Sequence, residues 1–307
     1  MRIGVDIGGT KIEAIALDSV GATLLRERVQ TPGGNYPAIL DAVRSLVHGF
    51  ERKLSRKCSV GIGCPGAVSL RTGLIKNANS VVLNGKPLEG DLSAVLERPI
   101  RIENDANCFA LSEAIDGAAN QGRVVFGVIL GTGVGGGIVV DKSPIPGRNR
   151  IAGEWGHNQL PWPIAEADAM VKCYCGKLGC IETFLSGPGL AREYNLLTDK
   201  QLTAKEISLA ADGDDRVALE CVAKYRDRLA RSLALIVNIL DPDVIVLGGG
   251  LSNIGRIYTD IRTGIEAYAF SDSISTEVVQ ARHGDSSGVR GAAWLWPADP
   301  PAYQHQR

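Results

Sequence analysis

No stretch of this sequence is apolar and uninterrupted for long enough to cross a bilayer. The longest apolar run, Phe126 to Val140, carries six glycines and falls short of the roughly 20 residues a spanning helix needs. Neither sign of charge is in excess: 33 Lys and Arg stand against 34 Asp and Glu, a formal net charge of -1. A sequence-independent grip on nucleic acid is therefore excluded. The opening residues Met1 to Asp6 lack the apolar segment of a secretory signal and reach an acid at once. A disulfide framework is missing too, since Cys58, Cys64, Cys108 and Cys221 are scattered as small buried hydrophobes usually are. A cytoplasmic protein with neither a nucleic-acid nor a membrane partner is expected.

What is present begins with length. At 307 residues the chain exceeds what one core usually holds, so two lobes are expected. An internal echo at an offset of 123 residues supports this. Gly4-Val5-Asp6-Ile7-Gly8-Gly9-Thr10 runs through Ile15-Ala16-Leu17 to Asp18, and Gly127-Val128-Ile129-Leu130-Gly131-Thr132-Gly133 runs through Ile138-Val139-Val140 to Asp141. Each reads as a strand, a glycine-rich turn and a returning strand. Asp243 to Gly250 forms a third strand-plus-glycine unit. It follows an amphipathic helix marked by Val222, Tyr225, Leu229, Leu233, Ile236, Val237 and Leu240, which Asp241-Pro242 ends. Val60 to Gly66 and Ile100 to Glu103 read as further strands, and Asn104-Asp105 opens a helix. Mixed strands and helices throughout predict an α/β fold.

Glycine turns after strands suit phosphate, because bare backbone N–H groups approach its oxygens closely. Gly8-Gly9-Thr10-Lys11 has the wrong order for a P-loop. Gly131-Thr132-Gly133-Val134-Gly135-Gly136 matches G-x-G-x-x-G, but a strand follows where a Rossmann site needs a helix. Two β-hairpins clasping phosphates fit better than either, which disfavours an NAD-dependent dehydrogenase. Asp6, on the strand before the first turn, is placed to meet a nucleotide's Mg²⁺ or simply to cap the turn. Its counterpart in the second unit is Ile129. Asn104-Asp105, read by position alone, favours a helix N-cap over a catalytic acid.

His157, Cys173, Cys175 and Cys180 make a full tetrahedral donor set for zinc. Their C-x-C spacing is not that of a thioredoxin-like redox pair. Four protein donors leave no position for water, so the expected zinc, about one per chain, is structural. Glu154 and Glu182 flank the set and are either solvated acids or part of a functional site that the metal holds in place.

Together these motifs, in order and nearly end to end, resemble the ROK family of bacterial sugar kinases. The resemblance implies a two-lobed actin-like, hexokinase-like ATPase fold with ribonuclease H-like duplicated lobes. The first lobe would span 1–118 and the second 119–289, with a terminal helix at about 290–303 packing back on the first. ATP and Mg²⁺ would be held by Gly4, Asp6, Gly8, Gly9, Thr10 and Lys11 on one side and Thr132, Gly133 and Gly135 on the other, with Gly249 and Gly250 near the adenosine. The resemblance makes Asp105 the general base and Asn104, Glu154, His157 and Glu182 the sugar ligands. His157 would give one ring nitrogen to zinc and offer the other to the sugar. Lys76 to Ser80, Val237 to Asp243 and His283 to Gly291 resemble the fructokinase (manno(fructo)kinase) branch. D-fructose phosphorylated at O6 is therefore the expected reaction, with weaker action on mannose. A ROK kinase for glucose, mannose or an N-acetylhexosamine is the alternative. A ROK-type repressor would need a DNA-binding domain ahead of Gly4, for which no room is expected. Homodimers are frequent in the family.

Overall fold

The protein is described by a computed structural model over residues 1–163, 170–284 and 287–297. The first hairpin, β1 (Arg2–Ile7) and β2 (Lys11–Leu17), continues into β3 (Thr23–Gln30), helix α1 (Tyr36–Leu54) and β4 (Ser59–Cys64). A short ribbon, β5 (Ala67–Val68) and β6 (Ile75–Lys76), then leads to α2 (Leu88–Leu96), β7 (Arg101–Asn104) and α3 (Asp105–Ile115). The second hairpin is β8 (Val124–Leu130) and β9 (Val134–Val140), with β10 (Ser143–Pro144) beside it. Helices α4 (Glu182–Leu185), α5 (Gly187–Leu197), α6 (Ala204–Asp212) and α7 (Arg216–Leu240) precede β11 (Val244–Gly248), α8 (Ile261–Glu266), β12 (Glu277–Gln280) and α9 (Ser287–Trp294).

Two five-stranded sheets share one plan, in the orders β3-β2-β1-β4-β7 and β10-β9-β8-β11-β12. In each, a central strand pairs antiparallel with its hairpin partner and parallel with the next strand inward. The echo is thus a duplication of topology. The two turns differ in one detail, for Ile7 pairs with Ile12 whereas Leu130 pairs with Val134, a turn one residue tighter. The long helix appears as α7, capped by the Asp215 side chain and ended by Asp241 in the left-handed region at φ 46°.

Helices α3 and α9 lie between the sheets, and glycine makes their approach feasible. A Cβ on Gly4 would sit 2.1 Å from the Val289 carbonyl oxygen of α9, and one on Gly127 would sit 2.6 Å from the Ala110 Cβ of α3. Gly4 is therefore a packing residue beneath α9 and does not line the cleft, which corrects its expected part in binding nucleotide. Although α3 follows the first sheet in sequence, Phe109, Ala110, Leu111 and Ala114 share a core with Val125, Val139, Val244 and Val246 of the second. α9 returns to the first sheet, its Val289 and Ala293 packing with Ile15 and Leu17. The expected reach of this terminal helix over 298–303 lies outside the described residues.

One buried acid ties together the two crossings between sheets. Glu113, fully buried in α3, accepts from Ala118 N (2.8 Å), Arg282 N (3.0 Å), His283 N (3.1 Å) and Ser287 Oγ (2.7 Å). Each stranded buried donor costs about 1–3 kcal/mol. Glu113→Ala is expected to lower stability by at least about 3 kcal/mol in urea unfolding, and Glu113→Gln by less, since its carbonyl oxygen still accepts.

Candidate active site

β7 ends in Asn104, whose Oδ1 caps α3 by accepting from Ala106 N at 2.9 Å, while its Nδ2 donates to Gly66 O at 3.0 Å. The N-cap assignment that position alone suggests is correct for Asn104. It leaves Asp105 at the first turn of α3, facing a cavity. That cavity, about 300 Å³, is lined among others by Asn104, Asp105, Glu154, His157 and Glu182. Four of these were expected as sugar ligands and one as the base, and the structure brings all five together.

Asp105 is desolvated by burial, and the nearby Glu154 carboxylate adds to the effect. These outweigh the Ala106 N–H and the other hydrogen bonds, so its pKa rises from 3.8 to about 6. Asp6, at the end of β1, rises to about 7 through burial, then through the Asp105 and Glu13 carboxylates, while Lys11 opposes the shift. Two acids sharing a site with raised pKa values are what a cation would stabilise.

A larger cavity of about 860 Å³ adjoins on the other side of the second hairpin turn, and both cavities are lined by Gly131 and Thr132. Gly133 and Gly135 face the smaller one. Gly250 lines the larger one together with Thr203, Lys205 and Ser208 of the α6 region. Gly249 serves the turn: at φ 80°, a Cβ there would lie 2.4 Å from the Leu130 oxygen. Gly8 and Gly9 line a separate cavity of about 350 Å³ that shares Asn79 with the smaller one. Thr10 is exposed at the hairpin turn, and Lys11 begins β2.

The four expected metal donors lie within 4.8 Å of one another. Cys175 Sγ is 3.6 Å from Cys180 Sγ, and Cys173 Sγ is 3.7 Å from His157 Nδ1. Zinc–sulfur bonds of about 2.3 Å give tetrahedral edges of about 3.8 Å, so the spacing fits zinc. His157 Nε2 meets the Tyr174 hydroxyl at 3.1 Å, so this ring nitrogen reaches a sugar only alongside Tyr174. Glu182 opens α4 directly after Cys180-Ile181, and its Oε2 accepts from Val134 N at 3.0 Å. The donor cluster is thereby fastened to the second hairpin.

Asn77, Asn79 and Tyr174 also line the smaller cavity and were not among the expected site residues. Their signal was faint. Asn77 takes φ 58°, which asparagine tolerates better than most residues. Asn84 holds the intervening Ala78 through both its N–H and its carbonyl.

Two sheets of one plan, with a cavity lined by acids and a larger one across the second hairpin turn, make the fold and site of a two-lobed sugar kinase. The sequence profile of the ROK family matches residues 2–299, and the chain belongs to that family; it is a ROK sugar kinase. It is 44% identical over 308 residues to the N-acetyl-D-glucosamine kinase of Salmonella typhimurium, covering 97% of this chain and 100% of the relative. The structure of a ROK hexokinase from Thermus thermophilus superposes with a TM-score of 0.85 at 29% identity, covering 95% of this chain and 96% of that one. A ROK family glucokinase from Streptomyces griseus, in complex with glucose and AMPPNP, gives 0.76 at 30% identity over 96% and 98%.

The raised acids carry a stability cost of definite sign. Between the unfolded value of 3.8 and the folded values of about 6 and 7, the native state holds more protons than the unfolded chain. These two groups therefore make stability fall as pH rises through that window. Asp105→Asn is expected to stabilise the ligand-free, Mg²⁺-free protein by about 1–3 kcal/mol at pH 8 and by almost nothing at pH 4, read by thermal unfolding at both.

Proposed function

We propose that this chain is an ATP-dependent N-acetyl-D-glucosamine kinase that phosphorylates the sugar's primary hydroxyl, O6. What carries the substrate is the 44% identity to N-acetyl-D-glucosamine kinases over 97% of the chain. This supports the N-acetylhexosamine alternative over fructose, whose support was confined to short segments resembling another branch.

Asp105 takes the hydroxyl proton as the oxygen attacks the γ-phosphorus, and ADP leaves as the bond from the γ-phosphorus to the bridging oxygen breaks. A pKa of about 6 keeps the carboxylate ionised at neutral pH and basic enough to accept. Asn104, Glu154, Glu182 and His157 orient the sugar through its hydroxyls. Bound Mg²⁺ supplies charge neutralisation of the phosphates, and Asp6 is the carboxylate placed to hold it, directly or through water. The hairpins 8–11 and 131–133 hold the phosphates, and the larger cavity takes the adenosine. His157, Cys173, Cys175 and Cys180 bind one structural zinc, which performs no chemistry.

An ADP-release assay across N-acetylglucosamine, N-acetylmannosamine, glucose, mannose and fructose is expected to give the highest kcat/KM with N-acetylglucosamine. A clear preference for fructose would restore the earlier expectation. Asp105→Asn is expected to lower kcat by about 10²–10⁴-fold, and wild-type kcat/KM should fall below about pH 6 as this base protonates. Metal analysis of chelator-free protein should find about one zinc per chain, and Cys175→Ser should lose it.

A further inference from the structure

The two halves also meet behind the hexose cavity. The loop that follows β10 leaves the second sheet and reaches the β5–β6 ribbon, where Lys76 Nζ of β6 donates to Asn149 O at 2.9 Å. One residue on, Arg150 Nη1 stands 3.5 Å from Glu103 Oε2, and the Glu103 side chain is only 10% exposed. The other oxygen of Glu103 accepts from Asn104 N at 2.9 Å and from Asn107 Nδ2 at 3.1 Å. A single carboxylate thus braces the residue before Asp105 and faces a cation from the loop that next delivers Glu154. Arg150 sits at φ 55°, an uncommon region for a side chain of this kind, so the loop bends sharply at this contact.

We propose that Glu103 and Arg150 are a positioning pair which, with the Lys76–Asn149 bond, clasps the hexose loop to the strand that carries Asn104 and Asp105. Neither residue of the pair touches sugar or nucleotide; the pair acts through Asn104 on one side and Glu154 on the other. A nearly buried carboxylate without its cation is costly, so the pair favours the arrangement in which both sugar-reading segments face one cavity. The larger cavity lies beyond Gly131 and Thr132 and is served by other elements. Breaking the clasp should therefore weaken hexose capture and leave ATP capture alone.

The proposal rests on the kinase reading, so the test uses whichever hexose the wild-type chain phosphorylates best, and a wrong sugar assignment then leaves it intact. Arg150→Gln, Arg150→Lys, Glu103→Gln and the double variant Arg150→Gln/Glu103→Gln are compared with wild type in steady-state kinetics. Hexose capture without turnover is read by calorimetric titration in the absence of ATP. Arg150→Gln is expected to raise the hexose KM about tenfold, with the ATP KM and zinc content unchanged. Arg150→Lys should recover part of the loss, and the double variant should be no worse than the poorer single one. An unchanged hexose KM in Arg150→Gln, or single effects that multiply in the double variant, would overturn the clasp. Should Arg150→Gln fail to fold, the cycle built on Arg150→Lys and Glu103→Gln decides by the same criteria.

Discussion

Gly291 of α9 faces the backbone of α3 so closely that a Cβ there would sit 1.6 Å from the Cys108 carbonyl oxygen. That approach brings the two middle helices together, and each carries a sheet on its outer side. Because α3 is held against the second sheet while its N-terminus continues β7 of the first, Asp105 emerges at the seam. Asp6 emerges there too, at the end of the strand that α9 covers. Bulky residues at these contacts would part the layers and, with them, the two acids. Packing in the middle of the molecule therefore sets the electrostatics of the cleft: burial lifts Asp105 to about 6 and Asp6 to about 7.

The second lobe supplies Glu154, His157 and Glu182 to the smaller cavity; we propose that they read the sugar. Between β10 and α4 the described backbone is held mainly by turns and two isolated bridges, Gln159 with Cys180 and Lys172 with Leu178. A segment with so little ladder cannot fix Glu154 and Glu182 by backbone pairing alone. The four-donor cluster joins its two ends, and Glu182 accepts from Val134 N at 3.0 Å, which anchors the segment to the start of β9. One carboxylate thus holds the described part of this segment against the turn before β9.

Much of this was legible in the sequence, for identifiable reasons. The hairpin echo survives because strand and turn chemistry are local, and Asp241-Pro242 marks the end of α7 for the same reason. The clustering of His157, Cys173, Cys175 and Cys180 was legible because few residue types make a metal donor set. Gly4 misled because a glycine that serves close helix packing and one that serves phosphate look alike in sequence. Asn77, Asn79 and Tyr174 were missed as site residues because only the fold brings them to the cavity. The hexose was the least legible feature. Side chains that can hydrogen-bond one hexose can hydrogen-bond another, and discrimination then rests on the shape of the walls between them.

At the centre is the idea that the metal cluster sets hexose recognition while the nucleotide side stands independently. Calorimetric titration of the preferred hexose and, separately, of an unreactive ATP analogue into zinc-loaded, zinc-stripped and zinc-restored protein tests this most directly. Stripping should weaken hexose binding at least about tenfold, in line with other metal-linked loss of order, restoring zinc should recover it, and the nucleotide affinity should stay constant throughout. Equal hexose affinity with and without zinc, in protein that remains folded, would contradict it.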